Sequence, residues 1–180
     1  DEFLNKKEKL SDLSIQKNEE IIKNLSEKII RLGGKPNLDN ENQKDLIKDL
    51  NKQFDQLSVK NILGDKSKNI IKDEKINSIN VRFQKVIDLH PKDLRKLVDN
   101  GKKELGEGII IIFASKDDKI GLAIGVTNKL TNKYDAVKLV KVGSEIIGGK
   151  GGGGRPDFAQ AGGSEINKID DAIEKLKALI

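Results

Sequence analysis

The stretch Gly148–Gly163, GGKGGGGRPDFAQAGG, constrains this chain more than any other. Nine of its 17 glycines lie between Gly143 and Gly163. Each glycine held in regular structure costs roughly 0.5–1 kcal/mol relative to Ala, because it has more backbone freedom to lose. A disordered linker tolerates such a run but has no use for Arg155, Pro156, Asp157, Phe158 and Gln160 in its midst. The run is therefore expected to be an ordered loop whose backbone takes positive φ or lies close to another group. Amides exposed in such a loop form a concave anion site, and Lys150 and Arg155 place two cations beside it.

Two nucleotide-binding motifs are set aside. Gly149, Gly151 and Gly154 satisfy G-x-G-x-x-G, but any four-glycine run nearly guarantees that, and the run follows an expected helix rather than a strand. A Walker A loop needs Ser or Thr after Gly-Lys, and Lys150 is followed by Gly151.

Composition narrows the chemistry. The chain has no cysteine and one histidine, His90. Disulfides, a thiol nucleophile and thiolate metal sites are thereby excluded, and a zinc site would need carboxylates almost alone. No metal or catalytic residue is expected. His90 precedes Pro91 and reads as a turn residue; Asp117-Asp118 reads as turn chemistry rather than a carboxylate pair. The chain has no methionine and begins at Asp1, which reads as a piece of a longer protein. Its longest apolar run, Ile109–Ala114, falls far short of a membrane span. Residues 64–105 carry 11 Lys+Arg against 7 Asp+Glu, and most of the net charge of +5 sits there. A basic face in that section would attract a polyanion. Tyr134 and five Phe make no obvious stacking surface for single-stranded RNA. Contact with RNA would rest on shape and phosphate.

The expected fold class is α/β (α+β): an N-terminal helical hairpin, then a mixed α/β globular domain with a Gly-rich loop. Residues 1–63 form the helical section. Ile22, Leu25, Ile29 and Leu32 share one face. Asn18 is a candidate N-cap, Gly33-Gly34-Lys35-Pro36 a stop, and Asp39 the cap of a second helix carrying Leu46, Leu50, Phe54 and Leu57. A short connection predicts an antiparallel pair. Its narrow apolar stripes bury too little alone and must pack on the hairpin itself, on a second copy or on the next domain. Residues 64–75 read as a linker, and 76–180 as the globular part. There, 79–86 alternates as a half-buried strand, and Pro91 opens a helix that Asn100-Gly101 interrupts. Residues 109–114 are a strand buried on both faces, and 120–126 return as the next. Helices follow over 136–147 and 166–180, with Ile166, Ile169, Ile173 and Leu176 inward and Asp171–Lys175 paired.

The motif GGKGGGGRPDFAQAGG resembles the glycine-rich signature in the C-terminal domain of alanyl-tRNA synthetases, GGKGGGRPD, a hydrophobic residue, then AQAGG. This chain has one extra glycine within Gly151–Gly154 and Phe158 at the hydrophobic position. The element order also resembles that domain along nearly the whole chain. The resemblance implies a cytoplasmic, non-catalytic domain that grips the outer corner of tRNA(Ala) and assists aminoacylation and editing by the rest of the synthetase. ATP, Mg and Zn would belong to that remainder, with no cofactor in this part and no membrane partner. Residues 1–63 would help form a homodimer. The RNA-binding residues would be Lys150, Gly151, Gly152, Gly153, Gly154, Arg155 and Gln160. Arg155 has two readings: a phosphate contact, or an internal bond to a carbonyl or acid. Other readings are the substrate-binding domain of a DHH-type phosphoesterase, whose glycine motif often includes a His absent here, and a pure oligomerisation module.

Overall fold

The computed structural model describes residues 2–180 and divides into two compact units between Asn61 and Ile62. The first holds helix α1, Glu2–Arg31, and all but the last turn of helix α2, Gln43–Gly64. Asn18 lies inside α1 rather than at its start, and its amide donates to Gln43 Oε1 at 3.2 Å. Asn42, not Asp39, caps α2: its Oδ1 accepts from the amides of Lys44 and Asp45 at 3.0 and 3.2 Å. Gly33, at φ +81, ends α1 in a Schellman motif, with Gly34 N–H donating to Ile29 O and Gly33 N–H to Ile30 O.

The two helices run parallel, which corrects the expected antiparallel arrangement. Asn18 meets Gln43 near the start of α2, while Asn61 near its end donates to Leu32 O. The chain returns between the helices as an irregular segment alongside α2, where Gln53 accepts from Asn37 N–H. Asx turns at Asn37 and Asn40 take the place of a tight connection. Leu25, Ile29, Leu46 and Leu50 form the small buried core.

The second unit is a six-stranded sheet of order β1-β2-β3-β4-β6-β5. The strands are β1 Asn69–Ile76, β2 Ile79–Ile87, β3 Ile109–Lys116, β4 Lys119–Val126, β5 Gly152–Arg155 and β6 Phe158–Gly163. Only β2 and β3 are parallel. Residues 64–75 are thus not a linker: most of them form β1, paired with β2 from Asn69↔Val86 to Ile76↔Ile79. As an edge strand rich in charge, β1 lacks the apolar alternation that marks a strand. Its hairpin turn, Asn77-Ser78, has positive φ at both residues, as does Asp117-Asp118 between β3 and β4. Both fit type I′ turns, whose twist matches that of the flanking strands.

Helices cover both faces. On one side lie α4 (Ala136–Ile146) and α5 (Ile169–Ala178), packed on Val81, Phe83, Ile111, Phe113, Leu122 and Ile124. Asp135 Oδ1 caps α4 by accepting from Val137 N–H at 2.9 Å. Ile166 precedes α5 in a 3₁₀ turn and is exposed, contrary to its expected inward position. Asp171 pairs with Lys168 at 3.6 Å, one turn back rather than forward to Lys175.

On the other side lies α3 (Leu94–Leu105), entered through a 3₁₀ turn at Pro91–Asp93. Gly101 does not interrupt α3. It is buried, and a Cβ there would stand 3.1 Å from Ile110 Cγ2. The facing side of β4 is Gly121, Ala123 and Gly125, a run of small residues that lets the helix approach. A Cβ on Gly125 would fall 2.3 Å from Val98 Cγ1. At the far edge of this face, Arg82 bonds Asp73 on β1 through Nε and Nη2 and Glu104 on α3 through Nη1. The guanidinium holds the Asp73 carboxyl below the ordinary carboxylate range. This cluster ties α3 to the sheet.

Candidate functional site

The glycine motif folds as a β-hairpin, β5–turn–β6, and not as a nest of free amides. Gly152, Gly153, Gly154 and Arg155 pair with Ala161, Gln160, Ala159 and Phe158. Strand β6 also pairs with β4, from Gly125↔Phe158 to Ile120↔Gly163. The run is predominantly extended because it closes the sheet edge. Positive φ is confined to Gly148, Gly151 and Gly154 within the motif.

The glycines serve two different purposes. A Cβ on Gly149 would meet Gly162 O at 1.9 Å and Ser144 Oγ at 2.2 Å. On Gly152 it would meet Gln160 O at 2.3 Å, and on Gly154 Phe158 O at 2.3 Å. Backbone occupies those spaces, so the fold itself requires glycine there. Around Gly149 the packing is locked: buried Ser144 donates from Oγ to Gly162 O at 3.0 Å, and Gly149 N–H donates to Ser144 O at 2.8 Å. Gly151 and Gly153 have nothing within 4 Å of an added Cβ. Gly151 still needs its φ of +98, whereas Gly153 has neither a crowded Cβ position nor positive φ. Nothing within the unit requires glycine at 153.

Strand alternation puts Phe158, Gln160 and Gly162 of β6, with Gly153 and Arg155 of β5, on the α3 side of the sheet. Helix α3 lies over β3 and β4 and leaves this hairpin face open beside it. Gly153, Arg155 and Gly162 are exposed, and Gln160 is half-buried. Phe158 is 8% exposed and lies beneath Arg95, whose guanidinium carbon is 4.9 Å from the ring centroid.

The RPD turn is anchored from three sides. Pro156 O accepts from Ala136 N–H at 3.0 Å, and Asp157 O accepts from Val126 N–H at 2.9 Å and from Lys102 Nζ at 2.7 Å. Burial pushes the Lys102 ammonium below the ordinary lysine range. Arg155 Nε lies 3.4 Å from Asp157 Oδ1 with its side chain 65% exposed, so the internal pairing leaves most of the guanidinium free. Lys150 is exposed in the segment before β5, at the opposite end of that strand from Arg155. The two cations therefore do not flank one amide concavity.

Among the expected site residues, the fold brings Gly153, Arg155 and Gln160 onto one open surface. It uses Gly152 and Gly154 for strand packing and leaves Lys150 and Gly151 at the strand's start. Sequence reasoning missed Arg95, which lies some 60 residues before the hairpin. Its position two residues before Leu97-Val98, on the outer side of an amphipathic helix, was the only signal. His90 faces its own turn, its Nδ1 accepting from Lys92 N–H at 3.2 Å. Among the described residues no three His, Cys, Asp or Glu side chains gather as a metal site, and no helix is long and apolar enough to cross a membrane.

The surface is thus a glycine-floored, cation-bearing edge, and the chain that carries it is similar to known proteins. Over 108 residues the chain is 47% identical to an alanine–tRNA ligase of Parvibaculum lavamentivorans, a match covering 59% of this chain and 12% of that protein. Over 118 residues it is 44% identical to the alanine–tRNA ligase of Rhodopseudomonas palustris, covering 65% and 13%. It spans only about an eighth of the length of these relatives. The crystal structure of the C-Ala domain from Aquifex aeolicus alanyl-tRNA synthetase matches with a TM-score of 0.57 and 30% identity, over 60% of this chain and 96% of that one. RecJ from Thermus thermophilus, solved with Mn2+, matches at 9% identity and a TM-score of 0.50 over 77% of this chain and 20% of its own, a likeness of fold alone. Strands β2–β6 and helices α3–α5 all fall within residues 78–180, the span that matches the DHHA1 domain, and the chain belongs to that family.

Proposed function

We propose that this chain is the tRNA-binding C-terminal part of an alanine–tRNA ligase, holding tRNA(Ala) on the open face of the β5–β6 hairpin. The observation that carries the reading is Gly153, a glycine that the fold does not need, at the centre of an exposed surface bearing Arg155 and Gln160. A missing Cβ there makes room for close approach, and an Arg fork suits phosphate. The similarity to synthetase C-Ala domains supports the same conclusion. In this reading the domain does no chemistry. ATP, Mg and Zn serve the remainder of the synthetase in the cytoplasm, and this part keeps one tRNA bound for both aminoacylation and editing. Titration with tRNA across a salt series tests the proposal, and cleavage of short oligonucleotides in the same mixtures would favour a phosphoesterase role instead.

The first unit is assigned to homodimerisation. Phe3, Leu10 and Leu13 lie along one stripe of α1, and each is at least 60% exposed. A second copy offers these residues a matching apolar stripe. Leu10→Glu combined with Leu13→Glu should convert a dimer to a monomer by light scattering with little change in melting temperature. A dimer that persists would place the contact elsewhere.

A further inference from the structure

We propose that Arg95 is a nucleobase-stacking residue of the RNA-binding face, its guanidinium held over Phe158 so that its solvent side receives an unstacked base. This rests on the reading that the hairpin face binds RNA and adds a residue and a chemical class to it.

The geometry singles out Arg95. The chain has two other clear arginine environments for contrast. Arg82 is almost fully buried and has both ends committed, to Asp73 and to Glu104. Arg155 keeps a loose contact with Asp157. Arg95 is exposed in the first turn of α3, and its guanidinium carbon lies 4.9 Å from the centroid of the Phe158 ring. A guanidinium is planar, weakly hydrated and able to stack on both faces. With the Phe158 ring on one side and solvent around the rest, the guanidinium is open to a second planar group.

The surroundings suit a base. Arg155 lies directly opposite Phe158 in register, and Gly153 opposite Gln160. Phe158 and Gln160 are two residues apart on the same face of β6, about 7 Å along the strand. A base stacked over Arg95 and Phe158 would therefore have an amide from Gln160 near its edge, a glycine floor beside it, and a second guanidinium within reach of its phosphate. RNA with splayed bases is recognised by such aromatic and Arg planes. A purely structural Arg95 would only shield the ring, through a cation–π contact of modest strength.

The test measures tRNA affinity, its salt dependence and the melting temperature of the full chain. Arg95→Ala should lower affinity about tenfold, within the range seen on removing a base-stacking side chain, while melting barely shifts. Arg95→Lys keeps the charge and loses the plane; it should recover little affinity while retaining the salt slope of the unaltered chain. Phe158→Leu keeps an apolar filler and removes the supporting ring, and its folded fraction should bind as weakly as Arg95→Ala. Wild-type affinity in Arg95→Ala, or full rescue by Arg95→Lys, overturns the proposal while leaving the hairpin reading standing. If the unaltered chain binds no tRNA, the hairpin reading fails and this inference falls with it.

Discussion

Gly149→Ala should be among the most damaging single-methyl additions in this chain. The new Cβ would lie 1.9 Å from Gly162 O and 2.2 Å from Ser144 Oγ. The first is backbone of β6, where Gly162 pairs with Gly121 of β4. It cannot retreat without breaking ladder bonds or pulling Ile147 O away from the amides of Ser164 and Glu165 that it accepts from. Overpacking typically costs about 1–3 kcal/mol and more where nothing can yield. We expect about 3 kcal/mol here, which lowers the melting temperature by roughly 10 °C or more for a unit of this size. Thermal unfolding followed by circular dichroism checks it. Melting within a degree or two of wild type would mean that the loop entering β5 is not packed as described.

Gly153→Val should do the reverse. Its Cβ meets nothing within 4 Å, and the residue is exposed on an edge strand. Valine suits a strand better than glycine does, so melting should hold or rise slightly. If RNA lies against this face, the side chain intrudes where the ligand must come close, and affinity should fall at least tenfold, about 1.4 kcal/mol. The same pair of measurements on one preparation separates binding from folding. Unchanged affinity would remove Gly153 from the contact surface.

These two glycines show what was legible in the sequence and what was not. The run announced an ordered, closely packed element, and both positive φ and close approach are present. Which glycine does which could not be read from GGKGGGG, because the answer depends on Ser144 and on Gly162 across the hairpin. The buried strand at 109–114, the Asp117-Asp118 turn and α4 announced themselves through strong local signals: continuous apolar residues, turn formers and helical apolar spacing at Val137 and Val140. Strand β1 did not, since an edge strand gains its stability from pairing with β2 and shows little apolar periodicity. The parallel course of α1 and α2 was equally hidden. It depends on a return segment held by side-chain amides of Asn37, Asn40 and Gln53, not on the helix-stop signal at Gly33. Arg95 was invisible for a related reason: its significance comes from standing over Phe158, which only the fold places beside it.

The central claim is that this chain binds tRNA on the hairpin face. The most direct measurement is a titration of labelled tRNA with the full chain, beginning at about 50 mM salt, where screening is still weak. The account predicts saturable binding whose log affinity falls linearly with log salt, by roughly 0.7–0.9 for each phosphate neutralised. Absence of binding at that lowest salt, by a chain that melts cooperatively, would contradict it.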